Sequence, residues 1–138
     1  MEYTISEYMS YDAAEIRFLY ESVGWMNYTA RPEMLKKAFE NSLAVLGAYE
    51  EDRLIGIIRA VGDGASIVFI QDLLVLPEYQ RRGIGSALLK KVLDRYNGVY
   101  QIELMTDNEP ERVGFYKAAG FVKADEIGCC AFMKMFFQ

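Results

Sequence analysis

Hydrophobic and polar positions follow two different periods along the chain, and each period predicts one type of element. Apolar residues three and four apart predict helices, as at Ile16, Leu19, Tyr20 and Val23 behind a capping Asp12. Short apolar runs between Gly, Pro or polar turns predict strands. The predicted elements are a strand at 2–6, helices at 12–24 and from Pro32, strands at 43–49, 54–61 and 66–76, a helix at 84–98, a strand at 100–105, a helix at 110–120, and closing strands at 121–122 and 131–135.

The order of these elements predicts the fold class. One strand, two helices and a run of antiparallel strands precede an alternation of helix and strand. This order favours an α+β (mixed α/β) fold with a central mixed, mostly antiparallel sheet and helices on both faces. The length of 138 residues favours a single domain over 1–138.

Composition narrows the class of protein. The chain is 52% hydrophobic and 25% charged, which excludes a disordered chain. The formal net charge of −5 provides no global basic field, so we expect no nucleic-acid partner. The sequence contains no histidine, which excludes Ser-His and Cys-His catalytic pairs and every metal site that uses histidine.

The two cysteines and the N-terminus bear on the compartment. Cys129 and Cys130 are adjacent, which suits free thiols in a reducing compartment better than a disulfide. The N-terminus has no signal-peptide pattern, and no apolar run is long enough for a membrane span. We therefore expect a cytoplasmic protein with no membrane partner.

The segment 80–86, Gln-Arg-Arg-Gly-Ile-Gly-Ser, leaves a predicted strand and enters a predicted helix. Its two glycines permit close approach of a ligand to the backbone, and N–H groups at a helix N-terminus bind anions. Arg81 and Arg82 add guanidinium donors that suit phosphate. Taken alone, the glycine pair also fits an ordinary strand-to-helix turn with solvated arginines, because such pairs are common in turns. The segment lacks the third glycine of the dinucleotide fingerprint and the lysine of a P-loop.

Two motifs together resemble the GNAT N-acetyltransferase superfamily. The family's pyrophosphate loop, Gln/Arg-x-x-Gly-x-Gly/Ala, is matched at residues 80–85. Its Phe-Tyr-x-x-x-Gly-Phe signature is matched at residues 115–121. The resemblance covers residues 66–121, and it implies a single GNAT domain over 1–138.

The resemblance implies acetyl-CoA as the co-substrate and no metal. Backbone groups of residues 74–76 would pair with the amides of the pantetheine arm, as an added strand does. The implied cofactor-binding residues are Leu74, Val75, Leu76, Gln80, Arg81, Arg82, Gly83, Ile84, Gly85, Ser86, Asn108, Phe115 and Tyr116. Where many members have an asparagine, seven residues before Tyr116, this chain has Glu109, with Asn108 one position earlier.

The resemblance also implies roles in the transfer of the acetyl group. The backbone N–H of Leu74 would polarise the acetyl carbonyl. Tyr116 matches the position of the general acid that protonates the leaving thiolate, although packing in the core would also explain it. The base stays open. Asp72 or Glu103 could act through water if a β-bulge redirects the side chain, Asp72 could be a structural hydrogen-bonding residue, or water could carry the proton away.

The first two helices and their loop usually line the acceptor pocket in this family. Here the loop carries Trp25 and Tyr28, which could contact an amine or could simply pack. Gln71 is a further pocket candidate, and period two places it on the strand face opposite Asp72.

The leading hypothesis is an N-acetyltransferase for a primary amine of a small molecule, by direct transfer in a ternary complex. The alternatives are a protein or peptide N-acetyltransferase and a non-enzymatic acyl-CoA-binding sensor. The closing segment 125–137 is apolar and ends with Phe136 and Phe137, which makes a homodimer possible.

Overall fold

The computed structural model describes residues 2–136, which fall into two compact units, one up to Met105 and one from Thr106. The first unit contains β1 (Thr4–Glu7), α1 (Ala13–Ser22), α2 (Met26–Thr29), α3 (Pro32–Glu40), β2 (Ala44–Glu50), β3 (Arg53–Gly62), β4 (Ile67–Val75), a 3-10 helix (Pro77–Tyr79), α4 (Ile84–Arg95) and β5 (Gln101–Leu104). The second contains α5 (Pro110–Ala118) and a 3-10 helix (Ala124–Ile127).

The five strands of the first unit form one mixed sheet in the order β1-β2-β3-β4-β5. Strands β1 to β4 are antiparallel neighbours, whereas β4 and β5 are parallel. Parallel neighbours need a crossover connection, and α4 provides it. The predicted mixed, mostly antiparallel sheet is confirmed.

Helices cover both faces of this sheet. On one face, the hydroxyl of Tyr20 in α1 donates a hydrogen bond to Asp72 of β4. On the other face, a Cβ added at Gly56 of β3 would lie 3.4 Å from Leu88 of α4 and 3.4 Å from Val75 of β4. Because Asp72 and Val75 are three residues apart, they point to opposite faces of β4. The predicted α+β arrangement with helices on both faces is confirmed.

Helix α1 begins at the predicted cap. The side chain of Asp12 accepts hydrogen bonds from the N–H groups of Ala14 and Glu15, which is the expected geometry of an N-cap. Of the predicted apolar stripe, Ile16, Leu19 and Tyr20 are buried, whereas Val23 is the C-cap and is half-buried. Each such side chain contributes about 1.5–3 kcal/mol on burial. Local sequence therefore places this helix correctly.

The predicted closing strands at 121–122 and 131–135 are wrong. The backbone hydrogen bonds of this region are local, as between the N–H of Cys129 and the carbonyl of Ala124 at 2.8 Å. A strand is stable only beside other strands, and within residues 2–136 none pairs with these segments. Short apolar runs were therefore a misleading signal here. Phe137 lies outside the described residues.

Two predicted boundaries also differ. The loop predicted after Gly24 contains the short helix α2, and the helix predicted to end at Gly98 ends at Arg95. Hydrophobic periodicity locates the middle of an element better than its ends, because the last turn has few packing contacts of its own.

Candidate active site

Strand β4 extends beyond its parallel neighbour, and this leaves part of one edge open. Strand β5 pairs with β4 from Ile67 to Ile70, whereas β4 continues to Val75. Within the described part of the chain, no other strand lies along this edge of residues 71–75. Unpaired N–H and C=O groups on such an edge can bind an extended, amide-containing ligand as an added strand.

The register between β3 and β4 determines which amides face the open edge. The N–H of Leu76 donates to the carbonyl of Ile55 at 2.9 Å. Because hydrogen-bonded pairs alternate along an antiparallel ladder, Leu74 is also turned toward β3. The intervening Leu73 and Val75 direct their amides toward the open edge. This corrects the prediction for Leu74, whose amide faces β3: the N–H groups directed to the open edge belong to Leu73 and Val75.

Gln80 fixes the chain where it leaves β4. Its Nε2 donates to the carbonyl of Val75 at 2.9 Å, so this carbonyl has a side-chain partner. The N–H of Leu76 is already bonded to β3. Of the predicted backbone contacts at 74–76, the Val75 N–H is therefore the group whose direction suits a ligand.

The start of α4 has a backbone shape that suits an anion. Its N-cap is Gly83, in the left-handed region at φ +81°, and Arg81 is also left-handed at φ +64°. Left-handed residues in a turn direct successive N–H groups into a concave nest. No side chain of the N-cap covers the N–H groups of Ile84, Gly85 and Ser86, which lie at the positive end of the helix dipole. A phosphate group would fit here.

The ring of Tyr79 supports the basic side of this loop. The guanidinium carbon of Arg82 lies 5.5 Å from the ring centroid, and that of Arg53 lies 5.6 Å away. The Tyr79 hydroxyl donates to Glu50 and accepts from Arg53 at 3.4 Å. These contacts fix the buried ring of Tyr79 next to the guanidinium group of Arg82, which belongs to the loop.

Asp72 forms a buried ion pair. Its Oδ2 accepts from the Nε of Arg59 at 2.7 Å and from the hydroxyl of Tyr20 at 2.7 Å. The side chains of Arg59 and Asp72 are only 5% and 0% exposed. Burial and the neighbouring carboxylate raise the pKa of Tyr20, and the carboxylate raises that of Arg59 against the effect of burial. The structural interpretation of Asp72 fits these contacts, and its role as a base stays a prediction.

A β-bulge brings the predicted pocket residues together. In the β3–β4 register, Arg59 faces Asp72 and Ala60 faces Ile70, which leaves Gln71 without an opposite residue. The Nε2 of Gln71 donates to the hydroxyl of Tyr28 at 3.1 Å.

The same bulge corrects the prediction that Gln71 and Asp72 lie on opposite faces. Asp72 bonds to Tyr20, Gln71 bonds to Tyr28, and the two tyrosine rings pack edge to face at 5.5 Å. Trp25 completes this cluster, with its ring 6.0 Å from that of Tyr28. The structure therefore gathers all three predicted pocket residues on one side of the bulge.

In the second unit, Tyr116 belongs to a small aromatic cluster. Its ring lies 5.0 Å from Phe115 and 5.9 Å from Phe121. Burial raises the pKa of Tyr116, opposed by the nearby Arg112, so the phenol stays protonated at neutral pH. Asn108 is exposed, just ahead of the N-cap of α5. Contacts of Asn108, Phe115 and Tyr116 with a cofactor stay predictions.

Sequence reasoning missed Arg59 and Tyr20 as the buried partners of Asp72, and it missed the outward direction of the Leu73 amide. A signal for Arg59 was present, because a single arginine within the apolar run 54–61 must find a buried counter-ion. The roles of Tyr20 and Leu73 depend on tertiary contacts and on the phase of the ladder, which no local pattern encodes.

Three further observations on the described residues concern metal sites, membrane spans and thiols. Among residues 2–136, no cluster of three or more acidic or cysteine side chains could hold a metal ion. No helix in the same range is long and apolar enough to cross a membrane. Cys129 and Cys130 are free and exposed thiols.

Comparison with known proteins gives consistent matches. A family model described as an acetyltransferase (GNAT) domain matches residues 10–136. An uncharacterized N-acetyltransferase, ycf52-like, of Prochlorococcus marinus is 32% identical over 94% of this chain and 73% of its own length. A protein of Glycine max named as a histone acetyltransferase is 34% identical over 85% of this chain and 54% of its own length. A solved GNAT family acetyltransferase from Streptococcus pneumoniae is 39% identical, with a TM-score of 0.89 over 99% of this chain and 100% of that one.

Proposed function

Because the chain belongs to the GNAT acetyltransferase family and is therefore an acyltransferase, we propose that it acetylates a primary amine of a small molecule by direct transfer from acetyl-CoA. The observation that carries this proposal is the open edge of β4 leading into the nest at the start of α4. An extended amide arm and a pyrophosphate group are the two parts of coenzyme A that these features suit.

Residues of the first unit offer groups that suit both parts of this co-substrate. The outward amides of Leu73 and Val75 would pair with the pantetheine arm. The N–H groups at the start of α4, with Arg81 and Arg82, would bind the pyrophosphate. The space beside Gly83 is open, since a Cβ added there would meet nothing within 4 Å.

Acetyl-CoA supplies an activated thioester, and the chain supplies orientation and proton transfer. In our proposal, the N–H of Leu73 or Val75 donates to the acetyl oxygen, where negative charge develops. Tyr116 donates its phenolic proton to the departing thiolate. The amine nitrogen attacks the carbonyl carbon, the C–S bond breaks, the amine loses a proton to water, and a proton from water restores the Tyr116 phenol, so free thiol and amide are the products.

A screen of acceptors with acetyl-CoA tests the function. We expect thiol release and a matching mass increase on 2-phenylethylamine or 1,4-diaminobutane, and a lysine-containing peptide is the comparison probe. The relative named as a histone acetyltransferase favours a second candidate function, acetylation of a protein. Transfer to the peptide alone would support that alternative, and acetyl-CoA binding with no transfer to any probe would indicate a sensor.

Replacing Gly83 tests the cofactor site. Gly83→Val places a β-branched side chain at φ +81° and into the space that a pyrophosphate would occupy. We expect acetyl-CoA affinity to fall at least about tenfold, because one lost charge-assisted contact costs about 1.5–3 kcal/mol. Isothermal titration calorimetry measures this directly.

Gly24→Val is the matched control, since Gly24 has φ +82° and also has nothing within 4 Å of an added Cβ. Both variants strain the backbone similarly, but we expect only Gly83→Val to weaken binding of acetyl-CoA. Equal affinities in the two variants would show that the N–H groups at the start of α4 do not bind acetyl-CoA.

We also propose that the chain forms a homodimer. The second unit exposes large apolar side chains, among them Phe132 at 92% and Phe136 at 79%. A self-complementary contact would bury them in both copies, at about 25 cal/mol for each Å² of apolar surface. Light scattering should give a mass near twice the monomer at micromolar concentration, and Phe132→Glu should lower it. A monomer mass for the unmodified chain would contradict the proposal.

A further inference from the structure

The carboxylate of Asp72 uses only one of its two oxygens for the bonds described above. Arg59 and Tyr20 both donate to Oδ2. Oδ1 is buried, and among residues 2–136 no group meets the geometry of a hydrogen bond to it. Buried polar atoms are nearly always hydrogen-bonded, so an unpartnered carboxylate oxygen calls for a functional explanation.

The Tyr28 hydroxyl lies beside this carboxylate. The charge of Asp72 and its hydrogen-bonding interaction both raise the pKa of Tyr28, after the larger effect of burial. The same hydroxyl accepts from the Nε2 of Gln71 at 3.1 Å, so its own proton is available to donate. The ring of Tyr28 also packs 5.5 Å from that of Tyr20, whose hydroxyl is bonded to the same carboxylate. A carboxylate attracts a phenolic proton, so in our interpretation the Tyr28 proton is directed toward Oδ1, which leaves a lone pair of the Tyr28 oxygen for a ligand.

This arrangement favours a positioning role for Asp72 over a role as a base. The Asp72 carboxylate is already the counter-ion of the buried Arg59 guanidinium, so it is committed to this ion pair. As an anion, Asp72 keeps the hydroxyl of Tyr28 oriented as an acceptor. Tyr28 is half-buried and Gln71 is exposed, so this pair can meet a ligand that Asp72 itself cannot.

We propose that the Tyr28 oxygen binds an N–H group of the acceptor amine beside the Gln71 amide, and that Asp72 is the positioning residue that orients the Tyr28 hydroxyl. The rings of Trp25 and Tyr28, 6.0 Å apart and tilted by 36°, offer an apolar surface to the carbon next to the amine. The ligand class is thus a primary amine on an apolar carbon skeleton. This inference rests on the proposed function and identifies the acceptor side of that same site.

Trp25 gives a readout that does not depend on turnover. It is the only tryptophan of the chain, so tryptophan fluorescence reports on this cluster alone. The probe is 2-phenylethylamine, titrated into the unmodified chain and two variants. The comparison probe is its N,N,N-trimethyl ammonium analogue, which keeps the charge and the ring but has no N–H group.

Tyr28→Phe and Tyr20→Phe form a matched pair. Each removes one hydroxyl beside the same carboxylate, Tyr28 next to exposed Gln71 and Tyr20 inside the core. We expect Tyr28→Phe to weaken 2-phenylethylamine binding about tenfold, which is one hydrogen bond to a charged group, and Tyr20→Phe to change it less than about twofold. The trimethyl analogue should bind weakly to the unmodified chain and be insensitive to Tyr28→Phe.

Asp72→Asn tests the positioning role in a double-mutant cycle. It should weaken amine binding in the unmodified background and add little to Tyr28→Phe, while circular dichroism shows that the variants are folded. Three results would overturn the inference: no response of Trp25 to 2-phenylethylamine at millimolar concentration, equal losses in the two tyrosine variants, or full additivity with Asp72→Asn. Acetyl transfer by the unmodified chain, with Tyr28→Phe unaffected, would leave the proposed function standing and reject only this inference.

Discussion

Replacing Tyr116 by Phe should slow the chemical step about 10²–10⁴-fold, since a general acid contributes that much. The substitution keeps the ring that packs against Phe115 and Phe121, and it removes only the hydroxyl. Acetyl-CoA affinity should change little, because the proton is transferred in the transition state. Rapid-mixing kinetics of thiol release measure the step separately from product release.

The raised pKa of Tyr116 adds a pH test. Burial raises this pKa above its usual value, so the acid should remain protonated, and the rate should not fall through its deprotonation, across the neutral and mildly alkaline range. Tyr100→Phe is the control, because Tyr100 is 82% exposed and belongs to no proposed site. A chemical step in Tyr116→Phe within about twofold of the unmodified rate would exclude the phenol as the acid, given the size expected of such a group.

The largest loss of stability is expected for Asp72→Ala. The change leaves Arg59 buried without its counter-ion and removes the acceptor of the Tyr20 hydroxyl. Breaking a buried pair from one side costs about 3–5 kcal/mol, a large part of the stability of a domain this size. Urea denaturation gives the free energy of unfolding.

An exposed ion pair with the same N–O distance is the control for this prediction. Lys90 and Asp94 are 2.7 Å apart, as Arg59 and Asp72 are, but their side chains are 74% and 64% exposed. Asp94→Ala should therefore cost no more than about 1 kcal/mol, because solvent screens the pair. The double variant Arg59→Met, Asp72→Leu should be less destabilised than Asp72→Ala. If Asp72→Ala lowers the free energy of unfolding as little as Asp94→Ala does, water must solvate the charge of Arg59 in the variant.

Local sequence signals account for much of the first unit. The capping residue and apolar stripe of α1, the hairpin of β2 and β3, and the start of α4 follow from residues close to one another in the chain. The glycine at position 83 was recognised for the same reason, since its left-handed φ is a local requirement. The family followed from two such local motifs at the expected spacing.

The failures share a different cause. Strands at 121–122 and 131–135 required neighbours that the described residues do not provide. Whether Leu74 or its neighbours direct their N–H groups outward depended on which residues of β4 are hydrogen-bonded to β3. The bond from the N–H of Leu76 to the carbonyl of Ile55 shows which they are. A shift of one residue reverses which amides face outward, and the sequence does not record the register.

The sequence by itself determined the family, the order of helices and central strands, and the loop suited to phosphate, because each depends on spacing along the chain. Only the tertiary structure decided the surroundings of Asp72. Its partners Arg59 and Tyr20 are 13 and 52 residues away, and a bulge that leaves Gln71 unpaired turns two adjacent side chains toward the same aromatic cluster. Such contacts form between distant residues after the elements pack, so no periodicity within one element can encode them.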